Sequence, residues 1–595
     1  MEKKNNMPFS ADQLSEMNAF ECLWNCCKDH LNDVAITYRA DLCTQDMNKK
    51  VLTTKITYKE LINNIIKTYN SLKAHGVKKG DIITYSSITT PELIYTAYAS
   101  ILLGSIFKPI DVRFNSDELL DQFNSTPSKV FFGAKPFADK ILPIYGDLGV
   151  EKIILMSFQE SLPGIIRLGS KLQEMKIGGR VPEELSNNIF SDWKRFKANS
   201  HTRETPHFSE VKLDDIIHIT ATTGTTGKPK MLLHNSSNWN AQLYNASHCG
   251  LEFVRGETFF NCTVPWVDFG LINGIHTFLC NGIRIDMDPL WSADKNADYI
   301  IKNDPNWWMG APGWLDELFT NPKYADVRLF NSRYFITGGA PLYPHKHELY
   351  QSRLSEMSSV GKITPGYGYS EGSAAISLDL ENKATTIGKM WPLVHSKIVD
   401  RDTGKEVTDG GRGELWITSV HDKLTQISPG YLNNEDAMAE NFRTDSEGKR
   451  WARSGDMVQK NEDGTYSWFS RYKNILTFNG FNIDCEKISE KVGTLCDVAK
   501  VVVFGCVTSD GNQMPVVCVE KASEKNISDD ELKDRVYNFM NASFPDYYMP
   551  KDIVIYDRFP VISMKTDIQL MKSQVLNKKG EYIGQDTKRR SKELK

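Results

Sequence analysis

The sequence lacks the features that mark membrane, secreted and nucleic-acid-binding proteins. No apolar run approaches the ~20 residues of a transmembrane helix, and the opening MEKKNNMPFSADQ lacks the apolar core of a signal peptide. Lys and Arg number 71 against 75 Asp and Glu, so the net charge is −4. That balance does not favour nucleic acid or an anionic membrane as a partner. We therefore expect a cytoplasmic protein with no nucleic-acid partner and no integral membrane association.

The 11 cysteines are scattered and form no disulfide framework. Their one cluster, Cys22, Cys26 and Cys27, lies in a helix-like stretch without the CxxC spacing or partner histidines of a zinc site. A reduced thiol packs as a small apolar side chain. We interpret these three residues as reduced thiols in a core rather than metal ligands.

The remaining composition, with 40% hydrophobic and 25% charged residues, is that of a globular protein, and 595 residues predict several folding units. From Ile56 to Asp111, helical periodicity alternates with short β-branched runs that end at glycines. The pattern returns at VFFGAKPF, KIILMS, DDIIHIT, RYFITGGAPL and KITPGYGYSE. It predicts an α/β fold with helices on both faces of a sheet. The more charged segment from Gly164 to Pro206 is predicted to be an excursion from that core.

The C-terminal third changes character twice. After Gly388 the segments HSKIVD, GRGELWIT and MVQKNEDGTYSWF predict short antiparallel strands joined by turns. After Tyr472, VAKVVVFGCV and MPVVCVEK predict two strands, and SDDELKDRVYNFMNASF predicts a helix. We place a junction near Arg471 to Lys473, which divides the chain into domains 1–471 and 472–595.

A Gly- and Thr-rich loop after a predicted buried strand is the most informative segment. It reads Thr222-Thr223-Gly224-Thr225-Thr226-Gly227-Lys228-Pro229-Lys230. Glycines let backbone N–H groups turn toward an anion, and the hydroxyls and two lysines add donors and positive charge. It differs from the common P-loop because Pro229 stands where that motif has Ser or Thr. We predict that residues 222–230 bind a polyphosphate.

With this loop, the chain resembles the adenylate-forming superfamily of acyl-CoA synthetases, luciferase-type ligases and peptide-synthetase adenylation domains. Five further signatures follow in the family's order: Gly338-Gly339-Ala340-Pro341, Tyr367-Gly368-Tyr369-Ser370-Glu371, Gly413-Glu414-Leu415, Gly430-Tyr431-Leu432-Asn433 and Ser454-Gly455-Asp456. The resemblance runs from about residue 56 to the 570s. It implies a large N-terminal domain of α/β subdomains with a small β-barrel-like subdomain, then a small mobile α+β C-terminal domain.

The resemblance assigns several of these residues a role in binding ATP. Glu371 matches the glutamate that holds Mg²⁺, Tyr369 the ring against adenine, and Ser370 the hydroxyl on the α-phosphate. Asp456 matches the acid that takes both ribose hydroxyls, and Arg471 the arginine that precedes the hinge and also reaches the nucleotide. The other implied nucleotide-binding residues are Gly339, Ala340, Pro341, Tyr367 and Gly368.

The catalytic lysine stays open between two positions. The family places it in a loop reading roughly Leu-Pro-x-Thr-x-x-Gly-Lys-Ile, while this chain reads FPVISMKTDIQLMK. Lys565 is the better match, although the glycine is missing and the spacing is one residue short, and Lys572 is the alternative. An ammonium group there would lie between the carboxylate and the α-phosphate. We predict Lys565, Glu371 and Lys230 as the catalytic residues.

The resemblance implies that ATP and Mg²⁺ activate a carboxylic acid to an acyl-adenylate, which then passes its acyl group to CoA. Two alternatives stay open: a ligase that loads a carrier-protein pantetheine or stops at the adenylate, and a degenerate nucleotide-binding regulator. Departures from the family pattern at Met231, Ser470, Asn474 and Asn482 bear on the thiol step more than on adenylation.

The family's acyl pocket corresponds to the segment NCTVPWVDFGLINGIHTF. Trp266, Phe269 and Ile272 are predicted to wall an apolar slot. Asp268 lies near the place where peptide-synthetase adenylation domains bind a substrate ammonium group, although the surrounding residues differ. Small residues follow Glu371, so no built-in cap would restrict the pocket to acetate.

Overall fold

The structure is a computed structural model that describes residues 7–39, 53–162, 189–198, 210–223, 229–288, 295–357, 359–381, 383, 386–509, 511–522, 527–562 and 565–584. Within strands, the side chains of Thr222, Thr223, Ile562 and Lys565 lie outside this description. None of the described helices has the length and apolar character needed to cross a membrane.

The strands are, in chain order, β1 Val34–Arg39, β2 Thr53–Thr57, β3 Ile82–Ser86, β4 Ile106–Pro109, β5 Val130–Ala134, β6 Lys152–Met156, β7 Phe190–Asp192, β8 Ile216–Thr223, β9 Pro229–Asn235, β10 Thr258–Asn261, β11 Arg284–Met287, β12 Trp307–Gly310, β13 Tyr334–Thr337, β14 Lys362–Tyr369, β15 Ala374–Leu378, β16 Lys389–Met390, β17 Val394–Val399, β18 Arg412–Ser419, β19 Gly430–Tyr431, β20 Phe442–Thr444, β21 Arg450–Lys460, β22 Tyr466–Arg471, β23 Ile475–Phe478, β24 Phe481–Asp484, β25 Val498–Val507, β26 Gln513–Lys521, β27 Asp552–Tyr556, β28 Val561–Ile562 and β29 Lys565–Thr566.

The described α-helices are α1 Ala11–Leu14, α2 Ala19–Cys27, α3 Tyr58–Ala74, α4 Pro91–Leu103, α5 Ser116–Ser125, α6 Ala138–Ile141, α7 Trp193–Ala198, α8 Ser236–His248, α9 Phe278–Cys280, α10 Asn296–Asn303, α11 Asp316–Thr320, α12 Pro344–Glu356, α13 Glu435–Asn441, α14 Cys485–Val492, α15 Asp529–Ser543 and α16 Ile568–Val575. A π-helix, Phe269–Thr277, runs directly into α9. Its wider turns are uncommon and frequently mark functional sites.

Two large sheets form the body of the molecule. One has nine strands in the order β16-β15-β14-β13-β12-β10-β11-β1-β2, and the other has eight in the order β19-β9-β8-β4-β3-β5-β6-β7. Helices α4 and α8 are buried almost all round, and their residues share one hydrophobic core with both sheets. This sandwiching explains why the PELIYTAYASILL segment is apolar on every face.

Smaller sheets follow along the chain. Strands β17, β18, β21, β20 and β22 form a five-stranded antiparallel sheet, as the turn-rich pattern after Gly388 predicts. After the turn at Tyr472–Asn474, β25-β26-β27 and the short pairs β23-β24 and β28-β29 form separate sheets. The two strands and the helix predicted for this region are present as β25, β26 and α15.

The predicted excursion between Gly164 and Pro206 is wrong for its described part. Residues 190–192 form β7, which pairs in parallel with β6, and α7 follows directly. Phe190, Trp193 and Phe196 are buried, so three aromatic side chains hold this stretch in the core despite its surrounding charges.

Gly388 lies where the chain packs closely against the end of β15. It adopts φ +78°, and a Cβ on it would lie 2.0 Å from the Leu378 carbonyl oxygen. Gly404 has a similar φ of +68° but open space around it. We predict that Gly388→Ala lowers the free energy of unfolding by roughly 3 kcal/mol, from strain plus overlap, and that Gly404→Ala lowers it by about 1 kcal/mol. Urea unfolding followed by circular dichroism measures both, and equal losses would contradict the overlap.

Candidate functional site

A cavity of about 140 Å³ opens where the parallel strands β12, β13 and β14 end. Ligands in α/β folds commonly bind at the carboxyl ends of parallel strands. One wall is the π-helix, through Phe269, Asn273 and Thr277. The opposite wall comes from the strands and their loops, through Met309, Ala311, Ile336, Gly338, Gly339, Gly366, Tyr367, Gly368, Tyr369 and Ser370. The lining is therefore mostly apolar, with polar side chains at Asp268, Asn273, Thr277 and Ser370.

Gly368 fixes the strand wall. A Cβ at this position would lie 1.9 Å from the carbonyl oxygen of Ala374 on the neighbouring antiparallel strand. The glycine predicted as a nucleotide-binding residue is thus also a packing requirement. The turn after it is tight, with Ser373 and Ala374 both at positive φ.

Asp456 joins two strand systems beside Tyr367, which lines the cavity. Tyr367 on β14 donates its hydroxyl to Asp456 Oδ2 at 2.5 Å, and Arg471 Nε lies 3.1 Å from Oδ1. Asp456 is 1% exposed. Burial, followed by the Asp456 charge, raises the pKa of Tyr367 well above its usual range, so this tyrosine remains a donor.

The turn before Asp456 is held by a buried carboxylate. Glu414 on β18 accepts the Gly455 backbone N–H at 3.1 Å and pairs with Arg453 at 2.8 Å. Ser454 Oγ in turn accepts the Asp456 backbone N–H at 3.0 Å. The Gly413-Glu414-Leu415 signature therefore orients the Ser454-Gly455-Asp456 signature.

Glu371 lies in a short turn directly after β14. Its carboxylate accepts a hydrogen bond from the Tyr431 hydroxyl on β19, and burial raises its pKa. A magnesium ion is a hard cation that proteins bind through one or two carboxylates together with substrate phosphates. A half-buried carboxylate that accepts a hydroxyl donor and has a raised pKa is suited to gain such a cation, so Glu371 fits this role.

The structure brings together many of the predicted residues. Tyr367, Gly368, Tyr369 and Ser370 line the cavity with Gly339. Ala340 and Pro341 follow as exposed residues of the same loop. Lys230 lies beside this region, with its Nζ 3.2 Å from Glu440 Oε2 and 6.0 Å from the centre of the Tyr431 ring.

Other predicted residues do not line the cavity or lie outside the described residues. The loop members Gly224, Thr225, Thr226, Gly227 and Lys228 lie outside the described residues, as do the side chains of Thr222, Thr223 and Lys565. Strands β8 and β9 pair up to Thr223 and Pro229, so the loop connects a hairpin. Trp266 packs with Val112 and Ala134 in a separate cluster, and Ile272 is buried in the main core, so only Phe269 of the predicted wall lines the cavity.

A buried polar cluster beside the cavity was missed by the sequence analysis, apart from Asp268. His218 and His234 face each other across the β8–β9 hairpin with stacked rings. Asp268, which lines the cavity, accepts the Thr220 hydroxyl and lies 3.2 Å from His234 Nε2. Burial lowers the pKa of His218 to about 3, so this ring is neutral. A prediction of β8 and β9 as a hairpin, with its strand register, would have placed His218 opposite His234.

Comparisons with known proteins agree with this architecture. The AMP-binding enzyme family model matches residues 26–432. The acyl-CoA ligase sidI of Aspergillus fumigatus is 26% identical over 471 residues, covering 75% of this chain and 73% of the relative. The indoleacetate–CoA ligase of Aromatoleum aromaticum is 23% identical over 513 residues, covering 85% and 90%.

Two solved structures show the fold. The anthranilate CoA ligase AuaEII, crystallised with anthranoyl-AMP, aligns with TM-score 0.77 at 18% identity over 95% of this chain and 98% of that one. ATP-bound MatB from Rhodopseudomonas palustris aligns with TM-score 0.73 at 18% identity over 94% and 99%. The predicted α/β fold of adenylate-forming enzymes is confirmed. Because the family model matches more than half of its length, the chain belongs to the AMP-binding enzyme family.

Proposed function

We propose that the chain is an AMP-forming acid:CoA ligase, which converts a carboxylic acid to an acyl-adenylate and then to a CoA thioester. The observation that carries this proposal is the cavity itself. Its mostly apolar lining includes the Tyr369–Ser370 turn and Tyr367, whose hydroxyl contacts Asp456, and Asp456 in turn pairs with Arg471. An acyl group against the apolar part of the lining would present its carboxylate at that turn.

In this proposal, the residues around Asp456 and the Tyr369–Ser370 turn each bind a different part of the nucleotide. Asp456 accepts the ribose hydroxyls once they displace the Tyr367 hydroxyl, and Arg471 remains beside it. Tyr369 offers a ring to adenine, and Ser370 donates to the α-phosphate. Glu371 would hold Mg²⁺, which neutralises phosphate charge when bound. ATP, the acid and CoA are the substrates.

We also propose that residues 472–595 act as a mobile domain. From Leu476 onward, buried apolar residues form clusters that share no member with the main core. A polar contact lies across the boundary, where Tyr343 Oη donates to Glu486 Oε2 at 3.2 Å. Within residues 472–595, Asn474 Nδ2 donates to Oε1 of the same glutamate at 3.0 Å. Polar contacts of this kind separate at less cost than a shared apolar core.

Lys565 and Lys572 both remain candidates for the lysine that acts in adenylation. Lys565 is in β29, paired with Ile562 in a short hairpin. Lys572 is on α16, 5.6 Å from the Phe504 ring centre. Burial, and then the charges of Arg471 and Lys572, lower the pKa of Lys473. Lys572 therefore contributes positive charge near Lys473, at the boundary between the two proposed domains.

The function is tested by measuring pyrophosphate release from ATP with a panel of aliphatic and aromatic acids. We expect acid-dependent release, an acyl-adenylate detectable by mass spectrometry, and a thioester only when CoA is added. An adenylate that a phosphopantetheinylated carrier consumes, but CoA does not, would indicate a carrier-loading ligase. Nucleotide binding without pyrophosphate release would indicate a regulator.

We predict that Glu371→Gln abolishes ATP–pyrophosphate exchange. The amide keeps the size of the side chain and its bond from Tyr431 but loses the charge that a hard cation requires. Circular dichroism should be unchanged. Exchange within a few-fold of the parent enzyme would remove the metal-binding role from Glu371.

We predict that Asp456→Ala raises the apparent KM for ATP far more than that for the acid. Loss of charge-assisted bonds to the ribose, worth ~1.5–3 kcal/mol, corresponds to about 10- to 150-fold. Tyr367→Phe, which leaves the carboxylate in place, serves as the matched control and should change the KM much less. Equal effects of Asp456→Ala on both substrates would indicate a folding defect.

We predict that Lys565→Ala lowers adenylate formation by several orders of magnitude and spares thioester formation from a supplied acyl-adenylate. The ammonium is needed only while two anions approach each other. The two half-reactions are assayed separately in Lys565→Ala and Lys572→Ala. An active Lys565→Ala with an inactive Lys572→Ala would transfer the role to Lys572.

A further inference from the structure

Three cysteines converge in the core between the N-terminal segment and the π-helix. Cys22 and Cys26 are four residues apart on α2, and therefore project from the same side of the helix. Cys280 is the last residue of α9, which continues the π-helix. The three Sγ atoms lie within 4.8 Å of one another, and each residue is at most 7% exposed.

This grouping distinguishes them from the other described cysteines. Among the described residues, the sets of three or more potential metal ligands contain no other cysteine. Cys262, for example, is equally buried, but its thiol donates to the Met309 carbonyl oxygen, whereas Cys280 Sγ has the two sulfur atoms and, at 3.6 Å, His276 Nδ1 as neighbours. Simple apolar packing requires no convergence of sulfur atoms, whereas a soft metal ion does.

The geometry of the cluster suits metal-bound thiolates. Zn–S bonds of ~2.3 Å place thiolates of one site about 3.8 Å apart. Separations below 4.8 Å need only small side-chain adjustments to reach that spacing.

We propose that Cys22, Cys26 and Cys280 form a three-thiolate site for a thiophilic closed-shell metal ion, Zn²⁺ or Cu⁺. Binding would release the thiol protons and join α2 to the end of α9. Cys22 precedes residue 26, where the AMP-binding family match begins. The site would therefore fasten the N-terminal segment to the part of the chain that the family model matches.

Metal content of the full-length protein tests this proposal. Reduced, chelator-treated protein is reconstituted with Zn²⁺ or Cu⁺ in separate arms, desalted, and analysed by plasma mass spectrometry. We expect about one ion per chain in at least one arm, with the better-retained ion identifying the metal. Cys22→Ala, Cys26→Ala and Cys280→Ala should each retain at least tenfold less, while Cys262→Ala, the matched buried control, retains the parent amount.

A second readout uses the parent protein alone, so it does not depend on variants that fold. Bound metal should slow iodoacetamide alkylation of Cys22, Cys26 and Cys280 at least tenfold, measured peptide by peptide, and leave Cys262 unchanged. It should also raise the thermal midpoint by several degrees. Less than about 0.1 ion per chain in both arms, equal loss in Cys262→Ala, or a disulfide between these cysteines in freshly isolated protein would overturn the proposal.

Discussion

The buried carboxylate of Asp456 is the interaction on which the arrangement of the site depends. Its two partners come from different elements. Tyr367 is on β14 of the nine-stranded sheet, and Arg471 is the last residue of β22, directly before the turn at Tyr472–Asn474. A carboxylate at 1% exposure must keep such partners, because an uncompensated buried charge is costly. The contacts of Asp456 therefore hold β14, β21 and the end of β22 together beside the cavity.

The same requirement extends outward through Glu414. This second buried carboxylate is neutralised by Arg453 and accepts the Gly455 N–H, so the turn that presents Asp456 is itself fixed. Glu371 on the neighbouring turn has a hydroxyl donor from Tyr431. The protein's own hydrogen bonds and ion pairs thus position these carboxylates, and in the proposed function they would supply the preorganised charge that electrostatic catalysis requires.

Local patterns predicted the elements that carry the site, but not the contacts between distant elements. The apolar runs before residues 222 and 338 identified β8 and β13, because buried parallel strands are nearly continuous in apolar residues. The segment KITPGYGYSE, which ends in a Gly-rich turn, identified β14. The pairing of Tyr367 with Asp456, 89 residues later, is a tertiary contact that no periodicity encodes. Cys280 joins Cys22 and Cys26 in the same way. Trp266 lies away from the cavity because it packs with Val112 and Ala134 before the π-helix begins.

The two walls of the cavity differ in how freely they can change during evolution. On the strand side, Gly368 touches the Ala374 carbonyl so closely that any side chain would separate two paired strands. On the helical side, Asn273 and Thr277 are tied by hydrogen bonds, from Asn273 Nδ2 to Gln242 Oε1 and from Thr277 Oγ1 to the Ile272 carbonyl oxygen, whereas Phe269 is a partly buried apolar side chain of the wall. If the proposed function holds, related enzymes that accept different acids should therefore differ more at the position of Phe269 than along the strand wall. A search for altered substrate range would best begin by randomising Phe269.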